Sequence, residues 1–367
     1  MRGYAHAVAR DGDSGPDPAA GRVPAWPAGA FASLLPEAAG PDAFGLLADR
    51  PLCVVTLDDR HEIGPGPPTL PCVVVGVARG PVAGLATSGV DILLTDHPEA
   101  GRPWVGCDDV DAVLGSLETS CRARPLAAVA LAQLLRFSPR LTVTDALVAE
   151  SFVYSMLQSG PEHRAWSDGR PARTVGPAPV DTPAEPVGVS RTGDTLSIRL
   201  QRPHVHNAYD SSMRDGLVAA LQVADLDPGI TTILLDGAGP SFCSGGDLSE
   251  FGSASDPATA HAVRVACGAA PWVHRCADRT EVRVHGACIG AGVELAAFAH
   301  RVVADPGTQF GLPEVGMGLV PGAGGTVSLP RRIGRHRTAF LGISGSALAS
   351  ATAVEWGLVD ELTVRAP

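Results

Sequence analysis

Short apolar runs rich in β-branched residues alternate with turn residues in the early part of the chain. The runs LCVVTL, PCVVVGVA and VDILLT cover Leu52–Leu57, Pro71–Ala78 and Val90–Thr95, and Gly, Pro or Asp bounds each of them. Runs of this length and composition predict buried strands. Helical spacing follows between residues 108 and 164. Its apolar positions are Leu126, Val129, Leu131, Leu134 and Leu135 in one segment and Leu147, Phe152, Met156 and Leu157 in another.

Alternation of strand and helix patterns resumes after residue 188. The predicted elements are a strand at Thr195–Leu200, a helix through Met213, Leu217, Leu221 and Ala224, a strand at Thr231–Leu235, a helix near Pro257–Trp272 and a strand around Val282–Val284. Gly-rich turns follow at Ser241–Asp247 and before a helix that begins near Ala291. Repeated alternation of this kind predicts an α/β layer structure.

Two stretches rich in proline divide the chain. Residues 1–45 combine proline with Gly, Ala and Asp and predict a poorly ordered arm, and residues 167–186 have the composition of a semi-extended linker. We therefore expect an α/β unit over residues 46–166, here called the front unit, and a second unit over residues 187–367, the rear unit. Two units agree with 367 residues at about 150 residues per domain.

Composition and charge exclude several classes of protein. With 45% hydrophobic and 18% charged residues the chain can bury a large core, so it is not a disordered protein. The 39 acidic and 28 basic residues give a net charge of -11. We expect no binding to nucleic acid and no binding to anionic membranes, because both require fields of Lys and Arg.

The cysteines indicate free thiols in a reducing compartment. They form no C-x-x-C pair, and most have apolar neighbours: Cys53, Cys72, Cys107, Cys121, Cys243, Cys267, Cys276 and Cys288. The N-terminus turns polar before an apolar core develops, which argues against a secretory signal. No apolar run reaches about 18 residues. The sequence therefore predicts a soluble, cytoplasmic protein without a disulfide framework.

Common cofactor and metal motifs are missing. Neither GACIGAGVE nor GMGLVPGAGG spells G-x-G-x-x-G, and the sequence contains no Walker-type loop, no G-x-S-x-G elbow and no H-E-x-x-H helix. His204 and His206 have no further ligand clustered with them, so we expect a pair of loop residues and no metal site.

Two turns of small residues are the first candidates for a catalytic site. SFCSGGDL ends a strand in such a turn, and GACIGAGVELA passes through small residues directly into a helix. Small residues let a ligand approach the main chain, and the first N–H groups of a helix lack partners of their own. Two such turns could direct two backbone donors at one oxygen and stabilise an oxyanion. Tight turns in a packed α/β domain are the alternative.

Two glutamates accompany these turns. Glu294 lies in the first turn of the predicted helix, and Glu314 lies in a loop flanked by Gly and Pro. Two carboxyls in different environments suit an acid/base pair, since one must be ionised while the other is protonated. A helix-capping role for Glu294 and a surface loop for Glu314 remain as alternatives.

Taken in order, these segments resemble the crotonase (enoyl-CoA hydratase/isomerase) superfamily. The resemblance covers about residues 187–362 and rests on LQRPHVHNAYDSSM, FCSGGDLSEF, HGACIGAGVELA, FGLPEVGMGLVPGAGGTVSLPRRIGR and SALASATAVEWGLVDEL. It implies the ββα spiral of the ClpP/crotonase fold for the rear unit. It also implies an acyl-CoA substrate, no cofactor beyond the coenzyme A of that substrate, and a homo-oligomer, in the family a trimer or hexamer.

The resemblance assigns roles position by position. The N–H groups of Gly246 and Ala291 would bind the thioester oxygen, while Glu294 and Glu314 would hold a water and add it across the 2,3 double bond. The remaining residues implied to line the path of coenzyme A are Val205, Ala208, Ser244, Gly245, Asp247 and Leu248.

Two departures from the family pattern concern the rest of the chain. A long front unit precedes the resemblance, whereas an ordinary family member has only a short lead-in. Family members continue for several helices beyond the GLVDEL position, whereas this sequence ends at Pro367. The helical stretch Arg124–Arg170 is similar in character to those helices. We therefore expect the front unit to be a degenerate crotonase-like copy whose helices complete the rear unit. An unrelated domain joined by a linker is the alternative.

The activity that the resemblance implies first is hydration of a 2-enoyl-CoA, a hydro-lyase reaction of fatty acid metabolism. An isomerase or a hydrolase would use the same oxyanion site with other acids and bases. A non-catalytic subunit that binds acyl-CoA or assembles with other proteins is the alternative from another class.

Overall fold

The computed structural model of the protein describes residues 25–34, 45–46, 49–57, 70–85, 87–97, 100–170, 183, 185–251 and 256–364. Most of the predicted arm and most of the predicted linker lie outside these residues.

Strands and helices alternate through the described part of the chain. Its strands are β1 Ala25–Pro27, β2 Leu52–Thr56, β3 Val73–Ala78, β4 Ile92–Thr95, β5 Val105–Gly106, β6 Val187–Thr192, β7 Thr195–Leu200, β8 Thr232–Gly237, β9 Thr280–Val284, β10 Ala287–Ile289, β11 Arg301–Ala304, β12 Gln309–Gly311, β13 Leu348–Ala349 and β14 Glu361–Leu362. Its helices are α1 Ala28–Leu34, α2 Val110–Ala123, α3 Pro125–Phe137, α4 Val143–Gln158, α5 Pro161–Asp168, α6 Ser211–Leu226, α7 Pro257–Cys267, α8 Ala270–Arg275, α9 Ala291–Ala296, α10 Gly325–Ile333, α11 Arg335–Ser344 and α12 Ser350–Trp356.

The front unit contains a parallel sheet in the order β1-β2-β3-β4-β5. The three apolar runs form β2, β3 and β4, which confirms the predicted strands. Alternate residues face opposite sides of the sheet, as the strand period requires. Val73 and Val75 join the larger hydrophobic core, whereas Cys72 and Val74 join a smaller cluster on the other face.

The rear unit contains two sheets. A six-stranded sheet has the order β14-β11-β9-β8-β7-β6, with only β6 and β7 antiparallel to each other, and a small sheet has the order β10-β12-β13. Helix α6 begins where the Asp210 carboxylate accepts a hydrogen bond from Met213 N at 2.8 Å. Its predicted apolar positions Met213, Leu217, Leu221 and Ala224 are all buried. The helix predicted near residues 257–272 is instead two helices, because α7 ends at Cys267 with Gly268 as its C-cap and α8 begins at Ala270.

Helices of the front unit pack directly against the rear unit. One hydrophobic core contains buried residues of both units. The Ser138 hydroxyl donates to Thr326 O at 3.0 Å, and Arg337 Nε donates to Trp104 O at 3.0 Å. A Cβ added to Gly342 would lie 2.7 Å from Leu131 Cδ2, so α11 and α3 approach closely. The two units therefore bury one continuous apolar core.

Helix α4 differs from its predicted orientation. Phe152 and Met156, expected on the apolar face, are 59% and 58% exposed. The buried face instead carries Ala146, Glu150 and Ser155. Polar residues occupy this face because the rear unit supplies hydrogen-bond partners for them, which the periodicity of the helix alone cannot reveal.

None of the helices in the described part of the chain is both long and apolar enough to cross a membrane.

A buried ion pair connects α3 to the parallel sheet. Arg136 Nη2 and Nε donate to Asp91 Oδ2 and Oδ1 at 2.6 and 2.9 Å, and Val74 N donates to Asp91 Oδ2 at 2.8 Å. The side chains of Arg136 and Asp91 are 11% and 3% exposed. Removing one partner of such a pair leaves a buried charge without compensation.

Asp91→Asn is expected to lower the free energy of unfolding by about 3 kcal/mol, because the Arg136 guanidinium stays buried without its carboxylate. Urea denaturation followed by circular dichroism measures the loss. Asp111→Asn is the matched control, since it removes the partner of Arg79 from an exposed ion pair, and should cost less than about 1 kcal/mol. Equal losses of stability in the two variants would contradict the idea that burial makes the Arg136–Asp91 pair costlier to break than an exposed pair.

Candidate active site

The two turns of small residues lie side by side. Ile289 N donates to Cys243 O at 3.0 Å, and Cys243 N donates to Ala287 O at 3.0 Å. A Cβ added to Gly245 would lie 3.3 Å from Ile289 O. Gly245 and Gly290 have φ values of +97° and +51°, a region that favours glycine because it lacks a Cβ. The backbones of the two turns thus touch.

Each turn presents a free amide. Ala291 is the first residue of α9, and Gly246 follows Gly245 in the other turn. Among the described residues, neither the Gly246 N–H nor the Ala291 N–H donates to an acceptor of the protein. Amides of this kind can donate to an oxygen atom of a bound ligand.

Glu294 projects from α9 into the interior. Its side chain is buried, and Oε2 accepts hydrogen bonds from Ala323 N and Gly325 N at 2.7 and 2.8 Å. Burial raises the pKa of Glu294 to about 7, although the two backbone hydrogen bonds act to lower it. The carboxyl can therefore change its protonation state near neutral pH.

Glu314 begins a short 3-10 turn, Glu314–Met317, after β12. Its Oε1 lies 2.6 Å from the position that a Cβ on Gly290 would take, so the carboxyl lies against the turn that precedes α9. Its buried Oε2 has no hydrogen-bond partner among the described residues. Burial, and then the charge of Glu294, raise the pKa of Glu314 well above its ordinary value. This carboxyl favours its protonated form.

A third buried carboxyl comes from the front unit. Glu150 of α4 accepts hydrogen bonds from Gly324 N at 2.8 Å, Thr326 N at 2.9 Å and Thr326 Oγ1 at 2.7 Å. Burial, followed by the charge of Glu294, raises the pKa of Glu150 to about 8. Glu150 and Glu294 thus bind the same short segment of backbone.

A cavity of about 190 Å³ lies between α4, α7, α8 and the loop before α10. Its lining includes Glu150, Tyr209, Arg264, Ala270 and Ala323. Tyr209 pairs with Gly246 through an isolated β-bridge. The cavity therefore adjoins both the Gly246 turn and the backbone segment that Glu294 binds.

The other residues implied by the resemblance occupy the loops around the Gly246 turn. Ser244 N donates to His206 O at 3.0 Å, which holds the loop after the 3-10 turn Pro203–Val205 against this turn. Val205 and Leu248 are half-buried, Ala208 is buried and Ser244 is exposed.

Asp247 makes its contacts within the protein. Its carboxylate lies 3.3 Å from Arg202 Nη2 and accepts hydrogen bonds from Ser249 N and Ser249 Oγ at 3.0 and 2.7 Å. Burial acts to raise the pKa of Asp247, but these hydrogen bonds and the Arg202 charge outweigh it and lower the pKa. The Asp247 side chain therefore stabilises the turn.

All eight cysteines are free thiols, six of them buried. Burial raises the pKa of Cys243 to about 12, so this thiol stays protonated beside the Gly245 carbonyl. Among the described residues, no group of three or more His, Cys, Asp or Glu side chains could hold a metal ion.

Glu150 was missed by sequence reasoning. The available signal was its place four residues after Ala146, on one face of a helix that the structure buries. A charged residue at a position with core spacing indicates a buried partner, but that partner lies 174 residues away. Local periodicity could not identify it.

Comparisons with known proteins concern mainly the rear unit. Residues 191–366 match the family described as enoyl-CoA hydratase/isomerase. The chain is 33% identical over 176 residues to 2,3-dehydroadipyl-CoA hydratase of Escherichia coli strain K12, covering 47% of this chain and 68% of that protein. It is 32% identical over 177 residues to mevalonyl-coenzyme A hydratase of Beauveria bassiana, covering 46% and 62%.

Another relative has a different activity. The 1,2-epoxyphenylacetyl-CoA isomerase of Escherichia coli is 33% identical over 168 residues, covering 45% of this chain and 64% of that protein. Among solved structures, an enoyl-CoA hydratase from Thermoplasma volcanium has 31% identity and a TM-score of 0.45, covering 50% and 73%. The chain thus spans 62% to 68% of the curated relatives named above.

The buried carboxyls make stability dependent on pH. The pKa of Glu294 is about 7 in the folded protein against an ordinary value of 4.5. The stability that this carboxyl contributes is therefore complete below about pH 4.5 and is lost as the pH rises to about 7. We expect the free energy of unfolding to fall across this window.

Glu294→Gln should reduce the decrease in the free energy of unfolding between about pH 4.5 and pH 7. The substitution removes the titrating group and one like charge beside Glu150 and Glu314. Urea denaturation at several pH values measures the slope. Glu355→Gln, which changes an exposed glutamate, should keep the slope of the unmodified protein. An unchanged slope in Glu294→Gln would contradict the elevated pKa.

Proposed function

Because the chain belongs to the enoyl-CoA hydratase/isomerase family of the crotonase superfamily, we propose that it is an enzyme that adds water across the 2,3 double bond of a 2-enoyl-CoA. The proposal rests on one observation. Two buried carboxyls, Glu294 and Glu314, lie beside the turn at Gly290, and the nearby N–H groups of Gly246 and Ala291 have no acceptor among the described residues. Hydration needs a base, an acid and an oxyanion site, and this arrangement supplies candidates for all three.

The amides of Gly246 and Ala291 would bind the thioester oxygen. Charge collects on this oxygen when a nucleophile attacks carbon 3 of an enoyl thioester. Two fixed N–H donors stabilise that enolate without needing to reorient during the reaction. The touching backbones of the two turns support this role.

The glutamates would divide the acid and base roles according to their surroundings. Glu294 accepts two backbone hydrogen bonds, which favour its ionised form, whereas Glu314 Oε2 has no partner among the described residues. Glu294 would remove a proton from water as the water oxygen bonds to carbon 3, and Glu314 would give its proton to carbon 2. The product is a 3-hydroxyacyl-CoA, and a proton passed back from Glu294 to Glu314 restores the enzyme.

Coenzyme A would lie along the loops that surround the Gly246 turn. Val205 and Ala208 lie on one loop, and Ser244, Gly245 and Leu248 lie on the turn that it contacts. Because Arg202 and Ser249 engage the Asp247 carboxylate, that residue would contribute through its backbone.

We propose that the front helices complete the catalytic unit, since they share its core and provide Glu150 to its backbone. The eight free thiols favour a reducing, cytoplasmic setting. Family membership favours a homo-oligomer.

Isomerisation is the second candidate, because one relative is named an isomerase and the same two carboxyls could move a proton between carbons. Product analysis by mass spectrometry separates the two reactions, since hydration adds the mass of one water and isomerisation adds none.

Glu294→Gln and Glu314→Gln should each lower kcat by about 10²- to 10⁴-fold, because each removes a group that transfers a proton. The ultraviolet absorbance of an enoyl thioester falls on hydration and measures the rate. Glu355→Gln should match the unmodified protein. Unchanged rates in both site variants would refute the assigned roles.

The oxyanion role of Ala291 can be tested by removing its N–H alone. Ala291→Pro deletes the donor at the first position of α9, where helices accept proline. We expect kcat to fall about 10²- to 10³-fold. Ala291→Ser keeps the N–H and should retain most of the activity, whereas an equal loss in both variants would indicate a steric effect only.

A further inference from the structure

We propose that Glu150 is a positioning residue through which the front unit fixes the orientation of Glu294. This inference rests on the proposed function for its consequence in catalysis, but its geometry stands by itself. Glu150 lies outside residues 191–366, which match the family. The resemblance to the family therefore assigns it no role.

The two glutamates bind four consecutive backbone amides in alternation. Ala323 N and Gly325 N donate to Glu294 Oε2. Gly324 N donates to Glu150 Oε1, and Thr326 N donates to Glu150 Oε2. These amides enter the N-terminus of α10, whose first N–H groups have no partners within the helix. Each glutamate thus satisfies the donors that the other leaves unpaired.

This alternation constrains the Glu294 carboxyl. The four amides belong to one continuous segment, so a carboxyl that binds the second and fourth also limits where the first and third can lie. Glu294 Oε2 is bound by the first and third, while Glu294 Oε1 accepts no hydrogen bond from the described residues. The bound oxygen sets the side-chain orientation and leaves the other oxygen available for water.

Helix α4 holds the same segment at a second point. A Cβ added to Gly322 would lie 2.4 Å from Tyr154 Cδ2, so the Tyr154 ring packs directly on the loop. The Arg264 guanidinium lies 4.2 Å from the centre of that ring and donates to Ser151 Oγ and Ser155 Oγ at 3.1 and 3.0 Å. These hydrogen bonds hold α4 against α7, so the position of Glu150 on α4 is fixed.

The effect of Glu150 on Glu294 is geometric, whereas its charge acts on Glu314. An ionised Glu150 opposes ionisation of Glu314, since like charges at short range raise each other's pKa. The charged and titratable groups that act on Glu150 and Glu294 or feel their charge are Glu314, Tyr154, Tyr209, Cys243 and Arg264. Because Glu150, with a pKa of about 8, is mostly protonated where Glu294 ionises, Glu150→Gln should leave the acid limb of the pH–rate profile in place.

Glu150→Gln tests the inference, because the amide keeps the shape but turns a donor group toward one of the N–H donors. Hydrogen exchange of peptides covering residues 320–328 should become about tenfold faster or more, since the loss of one net hydrogen bond of this strength favours local opening. Values of kcat should fall about 10- to 100-fold with KM nearly unchanged, because a displaced base loses its alignment.

Glu162→Gln is the matched control. Glu162 is also a carboxylate of the front unit that accepts hydrogen bonds from a helix N-terminus, here from Leu126 N and Ala127 N at 2.7 and 3.1 Å. It should leave the exchange of residues 320–328, kcat and the acid limb as in the unmodified protein. Equal exchange rates and equal kcat values in the two variants would overturn the inference.

A second pair of variants applies if Glu150→Gln fails to fold. Thr326→Val removes only the hydroxyl that donates to Glu150 Oε2, and Thr326→Ser restores it. We expect faster exchange and a several-fold lower kcat in the first and recovery in the second. No difference between them would count against the role of Glu150.

The two proposals fail in different ways. Absence of turnover in the unmodified protein with any enoyl-CoA would refute hydration, and hydrogen exchange alone would then decide the positioning role. Normal turnover with unchanged exchange and kcat in Glu150→Gln would refute the positioning role and leave hydration intact.

Discussion

Two carboxylates from distant parts of the chain satisfy the backbone amides at the start of α10, and the rest of the site depends on this interaction. Buried N–H groups and buried carboxylates are each costly without partners. Here they satisfy one another, because Glu150 and Glu294 take alternate amides between Ala323 and Thr326. The arrangement places a catalytic candidate, a helix N-terminus and a helix of the front unit in one hydrogen-bonded group.

Burial and hydrogen bonding together give the three buried carboxyls different pKa values. Desolvation raises the pKa of Glu150, Glu294 and Glu314 alike, and backbone donors counter it at all three. Glu150 and Glu294 each bind two amides of the segment before and within α10, whereas Glu314 has only its own backbone amide. Glu314 has an oxygen without a partner among the described residues and so favours the protonated form. The carboxyls thus differ by their hydrogen bonds and not by residue type, and a difference of this kind could give them the separate acid and base roles that we propose.

The front unit takes part in the structure that surrounds the site. Its parallel sheet carries a second hydrophobic cluster of its own on one face, while its helices α3 and α4 pack on α10 and α11. The family match covers only the rear unit. A fold whose core is shared in this way allows residues from an unmatched segment to act on the matched site, and Glu150 is the example that the contacts provide.

The sequence by itself determined several of the strands and helices and the two turns of small residues. Short, continuous apolar runs rich in β-branched residues predicted β2, β3 and β4. The spacing of Met213, Leu217, Leu221 and Ala224 predicted the buried face of α6, and small residues indicated where a ligand could approach the backbone. These features depend on neighbours along the chain, so they can be read locally. The orientation of α4, the engagement of Asp247 by Arg202 and the pairing of Glu150 with the α10 amides were decided only by tertiary structure. Each depends on a partner brought close by folding, and the energy of a buried polar group is set by that partner and not by its position in a local pattern.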